Sequence, residues 1–287
     1  MAAGIIDSEL PMVAAPMAGG PSSLQLAEAV GRAGGFPFLA AANAQPETVA
    51  AHIAQARSWD IPFGVNLFIT GDPPNHPRPV EQYRQVLAPQ AENYGLELQT
   101  PQLDDDDQWP QKLDLLCQDP VPAVSFTFGL PAAQQISRLR RTGTAVVATV
   151  TNAGEAEAAE AAGADALVVQ GPAAGGHSGT WDPARAIKDR PTAEVVREAN
   201  AATNLPLIAA GGVDGPHKRS VHCCGPAPTP CRWAHCCCAL KNRGPRSCTR
   251  TLSPASASPK PWCPGPLPAA PPVGCATVLS TTTAGTQ

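Results

Sequence analysis

The sequence predicts a TIM-type (β/α)8 barrel with an insertion after its third strand and its last β/α unit replaced by an aberrant C-terminal tail. Three observations carry that expectation. Short apolar runs alternate with helical patterns up to about residue 215, the signature of parallel βαβ units. Seven such runs occur, and several end in glycines or in polar residues of the kind a barrel presents at its C-terminal rim. Near Pro216 the composition changes so sharply that the two sides read as different kinds of polypeptide. Pattern alone also fits an open doubly wound sheet.

Met12 to Pro16 reads as the first strand, ending at Met17-Ala18-Gly19-Gly20. Ser22 or Ser23 then caps a helix through Leu24, Leu26, Ala27 and Val30 that stops at Gly34-Gly35. Phe36 to Ala41 and Phe63 to Phe68 form the next two strands. The gap from Thr70 to Pro122 is too long for an ordinary loop and predicts helices around Val80 to Glu92 and Leu113 to Cys117. Inside it, Asp104 to Asp107 lacks the spaced oxygen ligands and glycine of a calcium loop and reads as a solvated, self-repelling turn.

Ala123 to Phe128 and Ala145 to Val150 continue the strand series. Asn152 with Glu155 three residues on resembles a capping box, opening an Ala/Glu helix that ends at Gly163 and leads into a strand finishing at Gln170. Thr192 is expected to cap a helix through Val195, Val196 and Ala199, followed by a strand from Leu205 to Ala210 and the pair Gly211-Gly212.

At 287 residues the chain is long enough to bury about three quarters of its surface. A net charge of −4 argues against a nucleic-acid or anionic-membrane partner. No secretory leader pattern and no run of about 18 apolar residues occurs, so a cytoplasmic protein is expected. All 24 acidic residues lie at or before Asp214, whereas nine of the ten cysteines lie at or after Cys223. Residues 1–215 are therefore assigned to the barrel. The Pro/Cys-rich segment 216–287, which offers little periodic apolar surface to bury, is expected to be disordered. Its Cys and His residues lack paired CxxC spacing, so no metal site is assigned.

The stretch Val168 to Thr180, VVQGPAAGGHSGT, carries the clearest functional signal. A strand runs into small residues that let a flat or anionic ligand approach the backbone, and an imidazole stands beside them. Met17, Asn66, Gln170, Gly175, Gly176, His177, Gly211 and Gly212 all fall at predicted strand ends, where barrel chemistry sits.

The segments Ala15-Pro16-Met17-Ala18-Gly19-Gly20, Phe63-Gly64-Val65-Asn66, Val124-Ser125-Phe126-Thr127-Phe128-Gly129, Val168-Val169-Gln170-Gly171, Ala174-Gly175-Gly176-His177-Ser178-Gly179 and Ala209-Ala210-Gly211-Gly212-Val213 resemble, in this order, the nitronate monooxygenases, also called 2-nitropropane dioxygenases. The resemblance implies FMN as cofactor, held by Asn66, Gln170, Gly175, Gly176, Gly211 and Gly212 with Met17 beside the isoalloxazine. It implies His177 as the base for neutral nitroalkanes, and oxidation of an alkyl nitronate by O2 to a carbonyl compound plus nitrite. FMN-dependent enoyl-acyl-carrier-protein reductases share the barrel and the AGGH turn; the long insertion resembles the monooxygenase side more closely.

In the family the final strands lead to a Gln-Val-Gly-Thr turn that closes on the FMN phosphate. Written as TGC AGG TGG GCA CAY, the codons for Cys231 to His235 spell Gln-Val-Gly-Thr when read from the third base. The expectation is a shift of reading frame between about Asp214 and Val221. The written chain is then expected to lack an eighth strand, to expose two sheet edges and to be an inactive remnant.

Overall fold

A computed structural model describes residues 8–71, 77–213 and 232–235. Its strands are β1 (Met12–Ala14), β2 (Phe36–Ala40), β3 (Gly64–Phe68), β4 (Ala123–Thr127), β5 (Ala145–Val150), β6 (Ala166–Gln170), β7 (Leu207–Ala210) and β8 (Arg232–His235). They pair in parallel, each with its sequence neighbour, and close into a barrel. The helices are α1 (Leu24–Arg32), α2 (Pro46–Arg57), α3 (Arg78–Asn93), α4 (Trp109–Gln118), α5 (Ala133–Arg141), α6 (Ala153–Ala162) and α7 (Thr192–Ala202). None of the helices among the described residues is long and apolar enough to cross a membrane.

The barrel bears out the expected fold, and α3 and α4 fill the insertion after β3. Two helices without an assignment from sequence also appear. Helix α2 starts with Pro46 in its first turn, where a missing N–H removes no helical bond. Helix α5 buries Ile136 and Leu139 and places Arg138, Arg140 and Arg141 in its last turn, where cations suit the helix dipole.

The edge of the sheet corrects the sequence expectation. Arg232–His235 pairs with β1 from Met12↔Trp233 to Ala14↔His235, and with β7 at Ile208↔Arg232 and Ala209↔Trp233. The two edges expected to lie open are therefore bridged by a strand from the segment beyond residue 215. Parallel pairing uses backbone N–H and C=O groups that every non-proline residue carries, so a short extended stretch suffices. The remaining part of 216–287, with its cysteines and the expected frame junction, lies outside the described residues.

Alternation along the strands divides the core. Val65, Leu67, Val124, Phe126 and Val146 point outward to Ile53, Leu116, Ile136 and Leu139 of the helices. Val13, Phe36, Phe38, Ala123, Val147, Ala166 and Ile208 cluster inside. Gly64 faces the Phe38 ring so closely that a Cβ there would lie 2.2 Å from it, so glycine makes room for the aromatic plug. Higher up the same strands the inward positions become Asn66, Ser125, Thr127, Thr149 and Gln170.

Three local expectations change. Asn152 does cap α6, its side chain accepting from Glu155 N–H at 2.9 Å, but the Glu155 carboxylate reaches Thr151 N–H at 2.6 Å instead of closing the box on Asn152. Pro191 occupies the cap position of α7, and the Thr192 hydroxyl donates to the Gly211 carbonyl at 2.6 Å. The aspartate run is not wholly solvated: Asp107 accepts from the buried Lys112 ammonium at 2.6 Å and from Asn43 N–H at 3.0 Å. A left-handed backbone at Asp107 and Gln108 turns that carboxylate inward, onto the loop after β2.

Candidate functional site

The polar inward layer lies at the C-terminal rim, and its groups are joined. Asn66 is buried, and its Nδ2 donates to Ser125 O at 3.2 Å, Ser125 Oγ at 3.0 Å and Thr127 Oγ1 at 3.1 Å. Register places Asn66 opposite Ser125, so the pairing of β3 with β4 fixes this amide before any ligand arrives. Thr127 Oγ1 lies 3.4 Å from Thr149 Oγ1 on β5.

Gln170, the last residue of β6, folds the following loop back on itself. Its Oε1 accepts from Gly179 N–H at 2.6 Å and its Nε2 donates to the His177 carbonyl at 3.3 Å. Gly179 is buried against Thr149, whose methyl would lie 2.9 Å from an added Cβ. His177, Gly175 and Gly176 are exposed at the loop crest. The His177 ring stands edge-on to Phe128, with centroids 6.4 Å apart and an interplanar angle of 87°. Phe128 follows β4 at φ 74°, a left-handed conformation unusual for a bulky residue and worth about 1–3 kcal/mol of strain. Phe68 braces it from β3, ring to ring at 4.7 Å.

Gly211 and Gly212 sit after β7 at φ 84° and 71°. A Cβ on Gly211 would lie 2.4 Å from the Gly171 carbonyl oxygen, and one on Gly212 would lie 2.5 Å from the Ala173 Cβ. Glycine thus lets the loop after β7 lie directly on the Gly171 backbone and the Ala173 methyl of the loop after β6. Gly211→Ala is expected to lower stability by more than about 1 kcal/mol, since it combines a left-handed φ with a backbone clash. A thermal melt checks this; an unchanged midpoint removes the close-approach argument.

Met17 lies beyond β1, two strands round the barrel from Asn66 and three from Gln170. Its N–H donates to Ser22 Oγ at 2.8 Å, and that hydroxyl donates to Ala15 O at 2.9 Å, which shapes the turn into Gly19 and Gly20. Both glycines have positive φ, and no heavy atom lies within 4 Å of a Cβ built on either, or on Gly176. That open space around bare backbone suits a flat or anionic group.

The fold brings Asn66, Gln170 and His177 to one rim, and it adds Ser125, Thr127, Thr149, Phe128 and Gly171, to which the sequence assigns no role. The signal for Ser125, Thr127 and Thr149 lies in the alternation of AVSFT and AVVATV, where small polar residues interrupt an apolar face.

Fold and rim together define a (β/α)8-barrel protein with a glycine-walled, amide- and hydroxyl-lined site beside one imidazole. The family profile described as nitronate monooxygenase matches residues 4–222, and the chain belongs to that family. It is 36% identical over 218 residues to the nitronate monooxygenase of Paraburkholderia phytofirmans, an alignment covering 73% of this chain and 58% of that protein. The nitroalkane oxidase of Streptomyces ansochromogenes superposes with a TM-score of 0.64 at 41% identity, over 72% of this chain and 60% of that one. FabK from Thermotoga maritima superposes with a TM-score of 0.52 at 26% identity, over 73% of this chain and 53% of that one. The chain thus spans about three fifths of the length of the curated relatives it matches.

Proposed function

We propose that the protein binds FMN on this rim and oxidises alkyl nitronates, and neutral nitroalkanes once deprotonated, with O2 to a carbonyl compound and nitrite. The observation that carries the reading is the bond from Gln170 to the His177 carbonyl, which sets a recognition amide and a base side by side on a rim of bare glycine backbone. Family membership and the likeness to a nitroalkane oxidase support it.

The residues present fit a flavin. Asn66 and Gln170 carry amide edges of the kind that read a flat heterocycle, Gly19, Gly20 and Gly176 give room for close approach, and the exposed Gly175 and Gly212 offer backbone to a phosphate, with Gly211 packed beneath on Gly171. Met17 contributes a polarisable side chain at the first strand end. When bound, FMN supplies the electron acceptor and the partner for O2. His177 takes the α-proton of a neutral nitroalkane, a task suited to an imidazole because its unprotonated ring nitrogen carries a lone pair that accepts a proton. A nitronate needs no such step.

Purified protein is expected to be yellow, to release FMN on denaturation, and to consume O2 and form nitrite when given an alkyl nitronate. Colourless protein without O2 uptake overturns the reading. The likeness to FabK favours a second one, reduction of an enoyl thioester, which NADH oxidation without nitrite would mark. A shifted frame beyond Asp214 is proposed separately, and with it the product of the restored frame is the one expected to carry the full activity. The shift is supported by the coincidence that residues Cys231 to His235, which synonymous codons allow to be read as Gln-Val-Gly-Thr out of frame, include β8. Resequencing the locus tests it, and an intact frame encoding the written residues overturns it.

A further inference from the structure

We propose that Glu155 is a positioning residue for His177: its buried carboxylate ties down the far end of the loop that carries the imidazole, so that proton abstraction from neutral nitroalkanes depends on it. The inference rests on the nitronate and nitroalkane chemistry proposed for the rim. Residues 171–191, between β6 and α7, contain no helix or strand, and their crest at Gly175, Gly176 and His177 is exposed. Two glycines before a catalytic base leave its backbone little intrinsic preference. The position of the imidazole must therefore come from tethers.

One tether is Gln170, which holds the His177 carbonyl. The other lies on the opposite side of His177 and converges on a single carboxylate. Glu155 is 8% exposed in the first turn of α6, where the helix dipole favours an anion. One oxygen accepts from Thr151 N–H at 2.6 Å and from the Thr151 hydroxyl at 2.7 Å, fixing the carboxylate to the end of β5. The other accepts from Trp181 N–H at 3.2 Å and from the Arg185 guanidinium at 3.2 Å, both in the His177 loop.

Thr180 completes the knot. Its hydroxyl accepts from Arg185 at 2.9 Å and can give its one proton to Glu155 at 3.3 Å or to the Asp182 carbonyl at 3.1 Å. The Trp181 indole N–H donates to Thr149 O at 2.8 Å, so the same segment is also pinned to β5 directly. Charge-assisted bonds in a buried setting are the strong kind, and they hold Thr180 and Trp181 three and four residues from the base.

A small displacement of the base matters for one substrate class only. A shift of about 1 Å can reduce proton transfer by about a hundredfold, while a preformed nitronate does not use the base. Glu155→Gln preserves shape but puts an amide N–H2 where one carboxylate oxygen met only donors, and removes the charge opposite Arg185.

With rates expressed per bound flavin, Glu155→Gln is expected to lower nitroalkane kcat/KM by about 30–100-fold, and nitronate kcat/KM far less. Thr180→Val should shift the ratio the same way by a smaller factor, and exposed Glu157→Gln should not shift it. Parallel loss on both substrates, or an unchanged ratio, overturns the proposal. Hydrogen exchange of the 177–185 amides in the full-length protein provides an arm independent of catalysis: faster exchange in Glu155→Gln supports the tether, and unchanged exchange overturns it. A wild-type protein that oxidises neither substrate defeats the functional reading instead, and the exchange arm then decides the tether alone.

Discussion

Replacing His177 with Asn is expected to reduce oxidation of neutral nitroalkanes by about 10²–10⁴-fold while nitronate oxidation continues, the range associated with loss of a general base. The structure makes this a clean substitution. His177 is held through its carbonyl, which accepts from Gln170, and that backbone bond is available to any residue. Its ring is exposed and touches Phe128 only edge-on, so an amide of similar breadth leaves no buried void. Steady-state rates with a nitroalkane and with its preformed nitronate check the result. Equal loss on both substrates would remove the base assignment and point to a role in holding the site together.

Asp107→Leu is expected to destabilise the fold by about 3–5 kcal/mol, because it strands the Lys112 ammonium inside the protein. Lys112 is 1% exposed and meets Asp107 at 2.6 Å. Loss of the carboxylate also leaves Asn43 N–H without this acceptor. Denaturant unfolding measures the effect, with exposed Asp104→Asn as a control expected within about 0.5 kcal/mol of wild type. A loss no larger than the control's would show that the insertion does not depend on this pair.

The same carboxyl has a pH signature. Burial pushes Asp107 up from its ordinary value, with the Lys112 hydrogen bond and charge pulling it part of the way back. A carboxyl raised in the folded state binds its proton more tightly there than in the unfolded chain. Its contribution to stability is therefore fullest below the unfolded value of about 3.9 and is lost as pH rises through the folded value. Wild type measured against Asp107→Asn should show that decline with rising pH; a difference that grows instead would mean the lysine outweighs burial.

Much of the rim is legible in the amino-acid order alone. The runs FGVNLF, AVSFTF and ALVVQ carry one polar residue or more near the C-terminal end of an apolar strand, and in a parallel barrel that end is where side chains converge on a ligand. Asn66 and Gln170 stand out because an amide is costly inside a core unless something there needs it. His177 stands out because two glycines precede it. Thr127 and Thr149 do not, because threonine is also an ordinary strand former, and its presence carries little information until the register shows both hydroxyls facing inward.

The local expectations that fail share one origin. Glu155 fits a capping box, Thr192 fits a cap, and Asp104 to Asp107 fits a solvated turn, because spacing along the chain is the only geometry a sequence displays. Each of these side chains instead finds a partner far away in sequence: Glu155 at Arg185, Thr192 at Gly211, Asp107 at Asn43.

The sequence by itself determined seven strands, five of the helices between them and the rim on which the polar groups gather. Those features follow from periodicity and chain direction, which are local properties. Only the tertiary structure decided what closes the barrel and what ties down the loop that carries His177. Pairing of Arg232–His235 with β1 and β7 depends on backbone groups that no side-chain pattern announces. The Glu155 tether likewise depends on a buried carboxylate meeting donors some thirty residues on.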